Sequence, residues 1–138
     1  MENGHECLSK EEILAMDDIP VEEVLIPEWK DRKVLVCGLT GAGKNAYEAS
    51  LFELKGTTRK MKLENATAKL LVRTLVNRQR QPLFMESDIE RLGTKSAAAL
   101  ERLVKVAQRL SAMRQEDVEE LVKNSDAAQS DASPSVSL

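Results

Sequence analysis

The clearest candidate for a chemical site in the sequence is the glycine-rich stretch from Gly38 to Lys44. Residues 38–44 read GLTGAGK and match G-x-x-x-x-G-K, the first part of a phosphate-binding loop. In such a loop, backbone N–H groups bind phosphates, the lysine reaches the terminal phosphates, and a Ser or Thr after the lysine binds Mg²⁺. Asn45 follows Lys44 in this chain, so the magnesium ligand is missing.

A nucleotide site of this type also depends on the elements behind the loop. It needs a parallel sheet in which another hydrophobic strand ends in an Asp that positions the metal. The best candidate for that strand, residues 69–76, has helical spacing and is followed by Asn77. A parallel sheet also needs several crossover connections, whereas almost all segments after Lys44 have the period of helices. We therefore expect no cofactor.

A different interpretation gives the glycines a structural role. Gly38 lets a strand end sharply, and Thr40 caps the N-terminus of the helix that follows. If an anion binds, the free N–H groups of residues 41–44 are the place for it. A small nucleotide-binding protein that uses Gly38, Gly43 and Lys44 remains the alternative to a chain without a cofactor.

The sequence has few of the residues that other catalytic or metal-binding sites need. His5 is the single histidine and lies in an N-terminal arm, so a Ser/His or Cys/His relay is not expected. Cys7 and Cys37 do not form a C-x-x-C pair, and we expect both to be free thiols in a reducing cytoplasm. The sequence therefore favours a protein that is not an enzyme and holds no metal.

The charge and hydropathy patterns restrict the partners. The formal net charge is −3, and residues of both signs are interleaved along the chain. Such a surface presents no positive field to a nucleic acid or an anionic lipid. No apolar run approaches the roughly 20 residues that span a bilayer, and the N-terminus is acidic and polar. We therefore expect neither a membrane anchor nor a signal peptide.

Period-two spacing near the N-terminus predicts one β-hairpin, at about residues 21–38. Val24 and Ile26 alternate with Glu23 and Leu25, and a charged turn separates them from a second apolar run. Helical spacing predicts the other elements, which are helices at residues 10–16, 40–53, 63–76 and 96–113, a brief helix that stops at Gly93, and a last turn or two at 116–123. The fold class is therefore predicted as mainly α (α+β). A single helical domain at residues 9–123 with its small hairpin is expected between a flexible arm (1–8) and a disordered, Ser-rich tail (124–138).

Five residues are candidates for partner binding: Trp29, Phe84, Met85, Leu103 and Leu110. Aromatic residues and Met are enriched in interface cores, which favours the first three. The two leucines belong to the aliphatic stripe of the long helix, which could lie along another helix. The alternative is that these side chains fill the domain's own small core.

Several segments together resemble a known family. The segments are VLIPEW at residues 24–29, LTG at 39–41, KSAAAL at 95–100 and VAQRLS at 106–111. In this order and spacing the chain, from about residue 10 to residue 123, is similar to the tail assembly chaperones of long-tailed bacteriophages, especially those of the siphovirus type. Relatives commonly carry charged helix formers after the L-T-G-A turn, where this chain has Gly43, Lys44 and Asn45.

The resemblance implies a non-catalytic function. Proteins of this family bind the tape-measure protein, a very long helical chain with exposed apolar stretches, keep it soluble, and help the tail-tube protein polymerise around it. They act in the host cytoplasm and are absent from the mature virion. In many such phages a ribosomal frameshift yields a longer form of the chaperone, which would be a further partner. A second copy of the chain, in a homo-oligomer, is another candidate partner. Besides the chaperone and the nucleotide-binding protein, a third hypothesis for the function is a structural or adaptor protein of the virion.

Overall fold

The computed structural model describes residues 7–113 of the 138-residue chain. In this part of the chain helices account for 44% of the residues and strands for 21%. The elements are α1 (Lys10–Leu14), β1 (Val21–Ile26), β2 (Arg32–Cys37), α2 (Gly41–Ala49), β3 (Phe52–Lys55), β4 (Thr58–Met61), α3 (Ala66–Thr74), β5 (Leu75–Val76), α4 (Ile89–Leu92) and α5 (Ala97–Leu110). The prediction of a mainly α domain with one hairpin is therefore wrong, because the described residues form an α+β fold with two small sheets.

The first sheet contains the N-terminal hairpin and one further strand. β1 and β2 pair antiparallel from Val21↔Cys37 to Ile26↔Arg32. The chain reverses between them through a 3₁₀ turn at Pro27–Trp29 and two residues in the left-handed region. Alternation along β1 and β2 places Ile26 and Val36 on the buried face. β5 pairs antiparallel with the other edge of β2, so β2 is the central strand.

A second hairpin lies where the sequence predicted the end of a helix. Thr40 caps α2 as expected, since its Oγ1 accepts a hydrogen bond from the N–H of Gly43 at 2.9 Å. The helix ends at Ala49, and β3 and β4 then pair antiparallel. Gly56, with a φ of 69°, forms the turn between them, as the left-handed conformation favours glycine. A four-residue strand has too few alternations to be separated from a helical turn by spacing alone.

The predicted helix at residues 63–76 is shorter than expected at both ends. α3 begins at Ala66 after Asn65, whose φ of 61° breaks the helical path. It ends at Thr74, whose Oγ1 donates to the carbonyl of Leu70 at 3.1 Å. The next two residues become β5 because their backbone groups pair with β2. That pairing depends on a partner about 40 residues away in sequence, which local periodicity does not report.

α5 is the helix around which the core is built. Ser96 caps it by accepting a hydrogen bond from the N–H of Ala99 at 3.2 Å. Its apolar side chains recur at helical spacing, as predicted, and those of Leu103 and Ala107 are fully buried against the first sheet and α3. The largest fully buried side chains of the core are Ile26, Val36, Leu70, Leu71, Leu75 and Leu103.

Some predictions concern residues outside the described range. Residues 1–6 of the predicted arm (1–8), the helical turn at 116–123 and the tail at 124–138 all lie outside it. Within residues 7–113 there is no group of three or more Asp, Glu, His or Cys arranged to hold a metal ion. No helix in this range combines the length and the apolar composition needed to cross a membrane.

The buried position of Leu103 generates a stability prediction. Replacing Leu103 by Ala leaves a cavity in the centre of the core, so the free energy of unfolding should fall by about 3 kcal/mol. Lys105→Ala on the exposed face of the same helix is the matched control and should change it by less than about 0.5 kcal/mol. Urea denaturation followed by circular dichroism measures both variants. Equal effects of the two changes would contradict the position of α5 in the core.

Candidate functional site

The loop at residues 38–44 donates several of its backbone N–H groups within the chain. The N–H of Gly38 donates to the carbonyl of Pro20, and the N–H of Leu39 donates to Oγ of Ser111, each at 2.9 Å. The N–H groups of Gly43 and Lys44 both donate to Thr40, to its side chain and its carbonyl respectively. A phosphate-binding loop would direct such groups at the ligand instead. Both sheets of the described residues are antiparallel, unlike the sheet behind a nucleotide-binding loop.

Gly38 is required by close packing. A Cβ atom at this position would lie 2.6 Å from the carbonyl oxygen of Leu110, at the end of α5. Real Cβ atoms do not approach backbone oxygens so closely, so any larger residue would push β2 and α5 apart. At Gly41, by contrast, an added Cβ would meet nothing within 4 Å. The glycine spacing that resembles a nucleotide loop therefore includes one position fixed by the fold.

Two of the predicted partner-binding residues lie in one groove. Trp29 and Phe84 line a depression of about 590 Å³ together with Leu83 and Leu92. Leu83 is 49% exposed, so the groove presents apolar surface to its surroundings. The polar lining residues are Asp88, Arg91, Thr94 and Lys95. We call this feature the Trp29 groove. An apolar floor with charged residues at its edge is the usual chemistry of a helix-binding site.

The walls of the Trp29 groove are held by specific hydrogen bonds. Arg102 of α5 donates to both carboxylate oxygens of Glu28, at 2.9 and 3.1 Å, and so fixes the turn that carries Trp29. The hydrogen bond from Arg102 holds the pKa of Glu28 below its usual value. On the other wall, the N–H of Met85 donates to Oδ2 of Asp88 at 2.9 Å. The backbone on both sides of the groove is therefore anchored.

The other predicted partner-binding residues lie elsewhere. Met85 follows Phe84 and is 69% exposed, but its side chain does not line the groove. Leu103 is buried in the core, and Leu110 is half-buried and packs against it. Among the described residues, a partner could therefore contact the side chain of Met85 but not that of Leu103.

Sequence reasoning missed Leu92, Arg91 and Lys95 as residues of the groove. They lie on and just after α4, a helix of four residues. The signal that could have found them is proximity in sequence, because only the 3₁₀ turn Glu86–Asp88 separates this short helix from the apolar residues 83–85. What sequence could not supply is the position of Trp29, which belongs to the distant N-terminal hairpin.

Comparisons with known proteins identify relatives of this chain. A family model described as phage tail assembly chaperone matches residues 13–124. Among solved structures, the tail assembly chaperone of bacteriophage HK97 is similar, with a TM-score of 0.54 and 19% sequence identity. The match covers 76% of this chain and 95% of that chain, and at this identity it shows a shared fold. No protein in the curated set matches the sequence.

The close contact at Gly38 predicts different effects for two glycine substitutions. Gly38→Ala should lower the free energy of unfolding by about 1–3 kcal/mol, because the new methyl group forces α5 away from β2. Gly41→Ala, the matched control in the first turn of α2, should leave it unchanged or raise it by up to about 1 kcal/mol. Thermal or urea denaturation compares the two. A destabilisation at Gly41 as large as that at Gly38 would contradict the packing explanation.

The occupied N–H groups predict the outcome of a nucleotide titration. Calorimetry with Mg-ATP and Mg-GTP should show no saturable binding at micromolar concentrations, because the N–H groups of Gly38, Leu39, Gly43 and Lys44 are donated within the chain. Lys44→Ala should likewise leave the calorimetric trace and the melting temperature unchanged. Micromolar binding that disappears in Lys44→Ala would instead establish the loop as a nucleotide site.

Proposed function

Since this chain belongs to the phage tail assembly chaperone family, we propose that it is a non-catalytic chaperone that binds the tape-measure protein and promotes assembly of the tail tube. The family match carries this proposal, because it spans residues 13–124 and so includes both hairpins and all of α5. The fold shared with the HK97 chaperone supports it.

The Trp29 groove supports the partner-binding part of the proposal. A tape-measure protein is a long helical chain, and the helices of such a chain carry apolar side chains in stripes. A stripe of this kind binds by inserting its side chains into an apolar groove. Trp29, Phe84 and Leu83 provide the apolar floor, and exposed Met85 lies next to it in sequence. Aromatic residues and Met are suited to such contacts because they bury large areas and adapt to different partners.

We extend the proposal to the cellular location and the oligomeric state of the chaperone. It acts in the host cytoplasm, is released before the virion matures, and has a frameshifted longer form as a further partner, together with the tail-tube protein. Exposed apolar side chains near the N-terminus support self-association. They are Leu8, Ile13, Leu14 and Met16, all about half exposed or more, on and beside α1, which has no buried residue.

Co-expression with the tape-measure protein of the same phage tests the proposal. The fraction of tape-measure protein in the soluble extract should rise severalfold when this chain is present. Leu83→Asp should reduce that rise, because a charge in the groove disfavours burial of an apolar stripe. Leu54→Asp is the matched control, since Leu54 is 73% exposed on β3 and does not line the groove.

Three outcomes would count against parts of the proposal. Unchanged solubility with the wild-type chain would contradict the chaperone function. Equal loss with the control variant would contradict the assignment of the Trp29 groove. Mass spectrometry that finds stoichiometric amounts of this chain in purified particles would favour a structural or adaptor protein of the virion.

A further inference from the structure

A second cavity shares the lining residue Phe84 with the Trp29 groove. It encloses about 500 Å³ between the end of β2, α3 and the segment around Pro82. Its apolar lining residues are Ile19, Leu39, Val72, Val76, Pro82 and Phe84. Cys37 and Gly38 also line it. We call it the Cys37 cavity. Its apolar surface would be covered most effectively by aliphatic side chains.

Two arginines and one glutamate are the charged residues that line the Cys37 cavity. They are Arg73, Arg80 and Glu86. Arg80 pairs with Asp17 at 3.0 Å, and Arg73 pairs with Glu86 at 3.3 Å through its terminal nitrogen. Nε of Arg73 is buried and has no hydrogen-bond partner among residues 7–113. A buried donor of this kind is costly when unsatisfied, so a carboxylate is a favourable occupant of this part of the cavity.

The described chain ends beside this cavity. Gly38 packs against the carbonyl of Leu110, and Leu39 donates its N–H to Ser111. Met113, the last described residue, is 7% exposed and belongs to the core cluster. The described chain therefore ends two residues after Ser111, which contacts the cavity-lining residue Leu39. Ten residues reach roughly 15 Å as a helix and about 33 Å when extended, which is enough to cross a cavity of this size.

The sequence after Met113 combines acidic and aliphatic residues, which suit the lining of the cavity. Residues 114–123 read RQEDVEELVK and contain four carboxylates and two basic residues. Val118, Leu121 and Val122 have i, i+3, i+4 spacing, which places apolar side chains on one helical face. Acidic residues flank this apolar set. An acidic and aliphatic segment matches an aliphatic cavity that carries Arg73 and Arg80.

We propose that residues 116–122 of the same chain dock in the Cys37 cavity, with the aliphatic side chains against its apolar wall and carboxylates facing the two arginines. The covalent connection favours this occupant over a second copy, because a short tether gives an effective concentration in the millimolar range. The docked segment would pack behind Phe84 and so support the wall of the Trp29 groove. This intramolecular contact does not depend on the tape-measure interaction.

The native thiol of Cys37 provides a probe of the docked state. It is half-buried, and desolvation by burial raises its pKa. The experiment uses the full chain with Cys7→Ser, so that a single thiol remains, and measures the rate of its reaction with a small aromatic disulfide. Leu121→Asp should raise that rate about tenfold, because a charge replaces a buried aliphatic side chain. Val136→Asp, the same change later in the chain, is the matched control and should leave the rate within about twofold.

A disulfide experiment distinguishes docking from general loosening of the fold. In the Cys7→Ser chain, Leu121→Cys or Val118→Cys should form an intrachain disulfide with Cys37 under mild oxidation, and Val136→Cys should do so much more slowly. Electrophoresis without reductant separates intrachain from interchain products. Equal rates for all positions, or an unchanged Cys37 reaction rate in Leu121→Asp, would overturn the proposal. Interchain products that grow with protein concentration would overturn it in favour of a second copy as the occupant.

Discussion

The end of β2 and the end of α5 approach each other so closely that only glycine fits at position 38. The hydrogen bond from Leu39 to Ser111 fixes the same junction. These contacts join residues more than 70 positions apart in sequence, and they hold the end of α5 against the end of β2. The buried side of α5 faces the hairpin and α3, where most of the core lies.

The surface features follow from the same junction. With α5 across the sheet, Arg109 reaches Glu22 on β1 and Arg102 reaches Glu28 in the turn. Exposed ion pairs of this kind add little stability. Their geometry nevertheless orients the turn that carries Trp29. The groove that we propose as a helix-binding site is thus positioned by the packing of the core.

The loop at residues 38–44 shows how one short pattern serves two different structures. A nucleotide-binding loop uses glycine so that backbone N–H groups can approach phosphates. In this chain the backbone of Gly38 approaches another part of the protein instead, and the N–H groups around it are donated to Pro20, Thr40 and Ser111. The residue types are the same because both tasks need a position without a side chain.

Sequence alone determined the elements whose signals are local. The hairpin follows from the period-two spacing of Val24 and Ile26, the cap of α2 follows from the Thr40 side chain, and α5 follows from a long aliphatic stripe. The resemblance to tail assembly chaperones, confirmed by the family match, was also visible in short segments of the chain itself.

The short strands and the Trp29 groove depend on contacts between segments that are apart in the sequence. β3, β4 and β5 have four, four and two residues, and at this length helical and extended spacing coincide. Their conformation is chosen by hydrogen bonds to a partner strand, and for β5 that partner lies far away in sequence. The Trp29 groove has the same origin, since its two walls come from the first hairpin and from residues 83–95. Spacing along a chain reports which face a residue is on, but only packing determines what that face meets.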